Sequence, residues 1–148
     1  LEHTRLTKEN VLALYRFSLL LKGGEAAARR ILLEMLSENA PRLAQLRNER
    51  SRLAFALKKL RGLCLKPGGL NAGEKEGETA VPGFAERFSS LPEPGRSALA
   101  LLYLKVFSAD DAATLLDLNP EDFSAALRKA RALLRETLPD SNDLPSQS

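Results

Sequence analysis

Residues 66–83 read Lys-Pro-Gly-Gly-Leu-Asn-Ala-Gly-Glu-Lys-Glu-Gly-Glu-Thr-Ala-Val-Pro-Gly, with five glycines, two prolines and almost no apolar periodicity. Helices and strands do not cross such a run, because each proline removes a donor and each glycine adds backbone entropy. It has too little apolar surface to offset the entropy of ordering it. A flexible linker at 67–83 is therefore expected, dividing the 148-residue chain into stretches 1–66 and 84–138. The run from 139 to 148, Pro-Asp-Ser-Asn-Asp-Leu-Pro-Ser-Gln-Ser, has the same character and is expected to be a disordered tail.

Both stretches read as helical, so the expected fold class is all-α. Leu and Ala dominate, and β-branched and aromatic residues are few. Thr7 is placed as an N-cap. Val11, Leu12, Leu14, Tyr15, Phe17, Leu19 and Leu20 then form a wide apolar surface that stops at Gly23-Gly24. Glu25 opens a second helix with Ala28, Ile31, Leu32 and Met35 at helical spacing. A third runs from about Asn48 to Leu65. Beyond the linker, short helices are expected at 82–91 and 96–106, separated by Pro92-Glu93-Pro94. Ser108 caps a helix to Leu116, with Asp111 three residues on in a capping-box-like arrangement. Asn119 caps a last helix that starts at Pro120 and runs to about Thr137. Two short helices, a tight turn and a longer helix give a helix-turn-helix pattern.

Charge divides at the linker. Residues 1–70 hold 14 Lys and Arg against 6 Asp and Glu, a net +8; residues 71–148 hold 8 against 13, a net −5. The overall +3 hides two opposed halves, and only the first suits a polyanion. Catalysis has no constellation to stand on. There is one His, one Cys in the apolar run Leu63-Cys64-Leu65, no glycine-rich phosphate loop and no metal-ligand cluster. No enzyme activity, cofactor or small-molecule substrate is expected, and Cys64 is expected to be a buried structural thiol. No apolar run reaches the ~18 residues of a membrane span, so a cytoplasmic location without membrane contact is the default expectation.

Two sets of segments carry a resemblance. Phe88-Ser-Ser-Leu-Pro-Glu-Pro-Gly-Arg96, the helix to Phe107, the paired-alanine helix Ser108–Leu118 and the stretch Asn119–Arg135 are similar to the promoter-binding domain of the extracytoplasmic-function group of bacterial RNA polymerase sigma factors. The family's Leu-x-Arg-Ala-Arg-like ending of the recognition helix is here Leu127-Arg128-Lys129-Ala130-Arg131. Leu14-Tyr15-Arg16-Phe17 through Ala28, with Phe55–Leu65, resembles the family's polymerase-binding and −10-element domain. The resemblance spans roughly residues 11–137, in order. It implies two helical domains, the first binding the RNA polymerase core and the −10 promoter DNA, the second reading the −35 element. It also implies an anti-sigma protein as a further partner.

The chain departs from that pattern at its contact positions. Where the family has an acidic pair and a Gln in the second helix, Arg29, Arg30 and Leu33 stand here. That reverses the charge offered to a basic partner. Arg29 and Arg30, with Leu32, Leu33 and Met35, are therefore candidates for a protein partner; the two arginines also suit phosphate or a plain solvated face. The recognition helix offers Phe123, Ser124, Ala125 and Ala126 where groove-facing cations are common, with Glu121 and Asp122 in its first turn. Arg128, Lys129 and Arg131 follow, placed for phosphates. In the third helix Arg50, Arg52, Lys58, Lys59 and Arg61 form a dense basic set around Phe55. It reads either as a DNA strip with an aromatic for stacking, or as a solubilising face over a core phenylalanine. Three readings follow. The first is a divergent sigma-like regulator that binds polymerase and promoter DNA with weakened base readout. The second is a sigma-like decoy that binds an anti-sigma or other regulatory protein. The third is a generic helical module, for which the two halves would merge into one bundle.

Overall fold

The computed structural model describes residues 5–66 and 83–137. The expected linker and tail fall almost wholly outside them. Every regular element among the described residues is a helix: α1 Lys8–Lys22, α2 Glu25–Gln45, α3 Glu49–Cys64, α4 Phe84–Ser89, α5 Gly95–Leu104, α6 Ala109–Leu115 and α7 Pro120–Thr137. The caps sit where local chemistry put them. Thr7 and Asn10 form a reciprocal capping box, and Gly23 ends α1 in the left-handed region at φ 84°. Asn48 accepts from Ser51 N at 3.0 Å. Ser108 accepts from Asp111 N at 3.1 Å, and Asn119 from Asp122 N at 2.7 Å. The helix α2 runs on through Pro41, although that residue has no N–H for the carbonyl one turn back.

The core crosses from one half to the other. The helix α1 packs against α2 and α3 and also against α4 and α5, while α5 and α7 form the main pair of the second half. Leu14, Phe17, Leu21, Met35, Leu57 and Leu60 from the first half and Phe88, Leu99 and Leu101 from the second are fully buried in one continuous cluster. The helix α7 contributes Phe123, Leu127, Ala130 and Leu134, a stripe at four-three-four spacing. Two glycines permit the closest approaches. A Cβ on Gly95 would lie 2.9 Å from the Ala126 carbonyl oxygen of α7; one on Gly23 would lie 2.5 Å from Ser89 Oγ and 3.2 Å from Glu86 Cα of α4. The division into 1–66 and 84–138 remains a statement about sequence, since the described parts of both stretches share this core.

Candidate partner and nucleic-acid interface

The basic set on α3 does not form one strip. Arg52 is buried, and its Nη1 donates to the Leu46 carbonyl at 2.5 Å, closing the C-terminal end of α2. Arg61 turns toward the second half: Nε donates to Ser97 Oγ at 2.8 Å and Nη2 to Glu93 Oε1 at 3.2 Å. Arg50 also crosses, forming an ion pair with Asp111 of α6 and lying over the Phe107 ring at 5.4 Å. Only Lys58 and Lys59 of the five stay exposed without such a tie; Lys59 Nζ sits 5.5 Å from the Phe55 ring centre. Arg42 of α2 covers the same ring at 5.6 Å, a cation that the sequence pattern does not place there. Phe55 is half-buried against the core, with Arg42 and Lys59 over its ring. Of the five residues expected to form a DNA strip, Arg52 and Arg61 instead make internal hydrogen bonds, Arg52 through Nη1 to a carbonyl and Arg61 to a hydroxyl and a carboxylate.

Glu93 organises the deeper contact between the halves. Its carboxylate accepts from Arg61 and from Ser97 Oγ, the latter at 2.9 Å, and stands 3.2 Å from Arg96 Nε. All three charged side chains are at most about a quarter exposed: 26% for Arg61, 20% for Glu93 and 19% for Arg96. Arg96 also donates from Nη1 to the Leu21 carbonyl at 3.0 Å, tying the start of α5 to the end of α1. One acid thus separates two guanidiniums in a site of reduced solvent access, where each charge relies on its partner.

On α2, Leu32 and Met35 are core residues at 5% and 0% exposure. That corrects their place among partner-binding candidates: their helical spacing with Ile31 and Leu36 turns them inward. Arg29, Arg30 and Leu33 remain outside, with Leu33 59% exposed and Arg30 Nη1 3.9 Å from Glu34 one turn on. Three exposed residues, two of them cations beside an exposed leucine, suit an acidic and apolar protein surface.

The segment expected to be a helix-turn-helix consists of α6, a turn with Asp117 left-handed at φ 62°, and α7. The left-handed region favours glycine, and an aspartate tolerates it better than most side chains. On α7 Glu121, Asp122, Ser124 and Ala125 are exposed toward the start, then Arg128, Lys129, Arg131, Arg135 and Glu136. The first turn is acidic and small; the cations lie beyond it. Two cavities of about 380 Å³ each share Asn48, Arg50 and Phe107, and only the first lies between α3 and α6. Lys58, Asp111 and Thr114 also line that one; Asn10, Glu49 and Val106 line the other.

Among the described residues, two titratable groups depart from ordinary values. A hydrogen bond from Arg50 holds the Asp111 carboxyl below the usual carboxylate range. Burial pushes the Cys64 thiol up to about 12. Cys64 is therefore expected to resist iodoacetamide at pH 8 in the folded chain and to react at the rate of a free thiol once unfolded in denaturant, a comparison read by mass spectrometry. Because its folded value lies above the ordinary 9.0, its contribution to stability is complete at neutral pH and is lost as pH rises above about 9.

Sequence reasoning missed Glu93, Ser97, Phe107 and Asp111 as partners of α3. The signal was the opposed charge of the halves, +8 against −5, which favours such cation-to-acid pairing across them. Among known proteins, no family profile matches the sequence, and no curated protein matches it. The fold is similar to that of the sigma factor RpoE of Bartonella quintana, solved in complex with the anti-sigma factor NepR. That match has a TM-score of 0.63 at 19% identity and covers 86% of this chain and 90% of that one. The likeness extends over both halves, so the helices follow a sigma-like path even though they share one core.

Proposed function

We propose that this chain is a sigma-like regulator of bacterial transcription initiation that works mainly through protein contacts, is held by an anti-sigma protein, and meets DNA only through phosphates. The observation that carries this reading is the first turn and a half of α7. In a sigma-like helix-turn-helix the N-terminal part of the last helix lies nearest the base edges. Here it exposes Glu121, Asp122, Ser124 and Ala125. Acids there repel the phosphates on either side of a groove, and Ser and Ala supply no bidentate donors to guanine. The exposed Arg29, Arg30 and Leu33, and a fold shared with a sigma factor solved with its anti-sigma partner, support the protein side.

A second reading, a sigma-like factor acting on the RNA polymerase core, is favoured by the exposed cations Lys58, Lys59, Arg128, Lys129 and Arg131. Two measurements separate the readings. Co-expression with an anti-sigma protein and with core polymerase is expected to retain the first, with Arg29→Glu/Arg30→Glu lowering retention; capture of the core in preference would establish the second reading. In gel shifts, Lys58→Ala/Lys59→Ala is expected to weaken binding equally on all sequences and to lower the salt slope by about two. Strong preference of the full chain for one sequence over scrambled DNA would overturn the phosphate-only reading.

A further inference from the structure

The Arg50–Asp111 pair contrasts with the deeper contact between the halves. The Arg61–Glu93–Arg96 group is largely enclosed, whereas Arg50 and Asp111 are 60% and 47% exposed at the rim of the α3–α6 cleft. The guanidinium is steadied on one side by the Phe107 ring and has Asn48, Ser51 and Lys58 along the same cavity. An arginine laid on an aromatic, with a lysine and an amide beside it, is built to receive a phosphate oxygen pair. In the folded chain a carboxylate already fills that place.

We propose that Arg50 and Lys58 form a nucleic-acid phosphate site at the α3–α6 cleft, and that Asp111 is its built-in competitor, occupying Arg50 until a backbone phosphate displaces it. The proposal rests on the reading that this chain meets nucleic acid through phosphates, and adds how that contact is restrained. The inner Glu93 group keeps the halves together, so the exchange at Arg50 needs only a side-chain movement at the rim. A short polyanion gains one charge-assisted contact and releases its condensed counterions, while Asp111 is returned to water at an already exposed position.

The neighbouring residue supplies the control. Asp110 is exposed in the same helical turn and pairs with no cation among the described residues. Asp110→Asn and Asp111→Asn change net charge equally, but only the second frees Arg50. Asp110 is exposed and Asp111 half-exposed, so both variants are expected to fold as the parent does, checked by circular dichroism. Binding of the full chain to a fluorescent duplex and to a single-stranded oligonucleotide is measured across a salt series. Asp111→Asn is expected to bind about three- to tenfold more tightly at low salt, with a salt slope steeper by about one. Asp110→Asn is expected to leave the slope unchanged, and Arg50→Ala/Asp111→Asn to lose the gain. Equal effects of the two Asn variants, or a gain that survives loss of Arg50, would overturn the proposal while leaving phosphate binding by Lys58 and Lys59 intact. If no variant binds either oligonucleotide, both the proposal and the phosphate reading fall.

Discussion

Glu93→Ala is expected to destabilise the chain by about 2–3 kcal/mol, somewhat below the range for fully buried pairs because the site keeps some solvent access. Removing the carboxylate leaves Arg61 and Arg96 facing each other without an intervening acid, and takes from Ser97 Oγ its acceptor. Like charges then add to the loss of hydrogen bonds. In a urea titration the midpoint is expected to fall by about 1–2 M with little change in slope. Glu93→Gln separates the contributions. It keeps the size and one carbonyl oxygen, so it recovers the hydrogen bond but not the charge. Pairing it with Arg96→Met, which removes the repulsion, is expected to regain more than either change predicts alone, since residues of one network do not add. Additive behaviour would show that Glu93 does not couple these arginines.

Gly23→Ala is expected to cost a similar amount, about 2–3 kcal/mol, for two separable reasons. The first is conformational: the residue has φ 84°, where an L side chain crowds its own backbone. The second is steric: the new methyl would meet Ser89 Oγ at 2.5 Å and the α4 backbone at Glu86 Cα at 3.2 Å. Adding Ser89→Ala removes the nearest atom and is expected to recover about 1 kcal/mol, leaving the backbone part. The same urea titration reads both. Full recovery would mean that the clash with Ser89, and not the left-handed backbone, sets the cost.

The two variants probe what the sequence could and could not reveal. Thr7, Asn48, Ser108 and Asn119 act on the three residues that follow them, so the starts of four helices were legible from local chemistry. The α7 stripe was likewise legible, as Leu127, Ala130 and Leu134 recur at helical spacing. Side chains whose partners lie far along the chain were not. Nothing near Arg61 distinguishes it from Lys59, yet one is committed to Glu93, 32 residues away, and the other faces solvent. Arg52 looked like one more surface cation, because no local rule shows that a carbonyl at the end of the preceding helix will need its donor. Leu32 and Met35 are legible as core from their spacing with Ile31 and Leu36, and they are buried. Pro41 shows the converse, a local breaking signal overridden by the packing of α2.

The helix α1 serves both halves at once, and this bears on how the molecule can be dissected. A fragment cut after Lys66 would strip α1 of its neighbours α4 and α5, baring apolar surface and the Leu21 carbonyl that now accepts from Arg96. The complementary fragment would lose the platform on which α4 and α5 rest. Isolated pieces would therefore tend to self-associate, and sticky binding by a fragment would report the cut rather than the native surface. Mapping by point substitution in the intact polypeptide avoids that artefact. An insertion or circular permutation that keeps α1 beside α5 would spare the core, whereas one that separates them would break it.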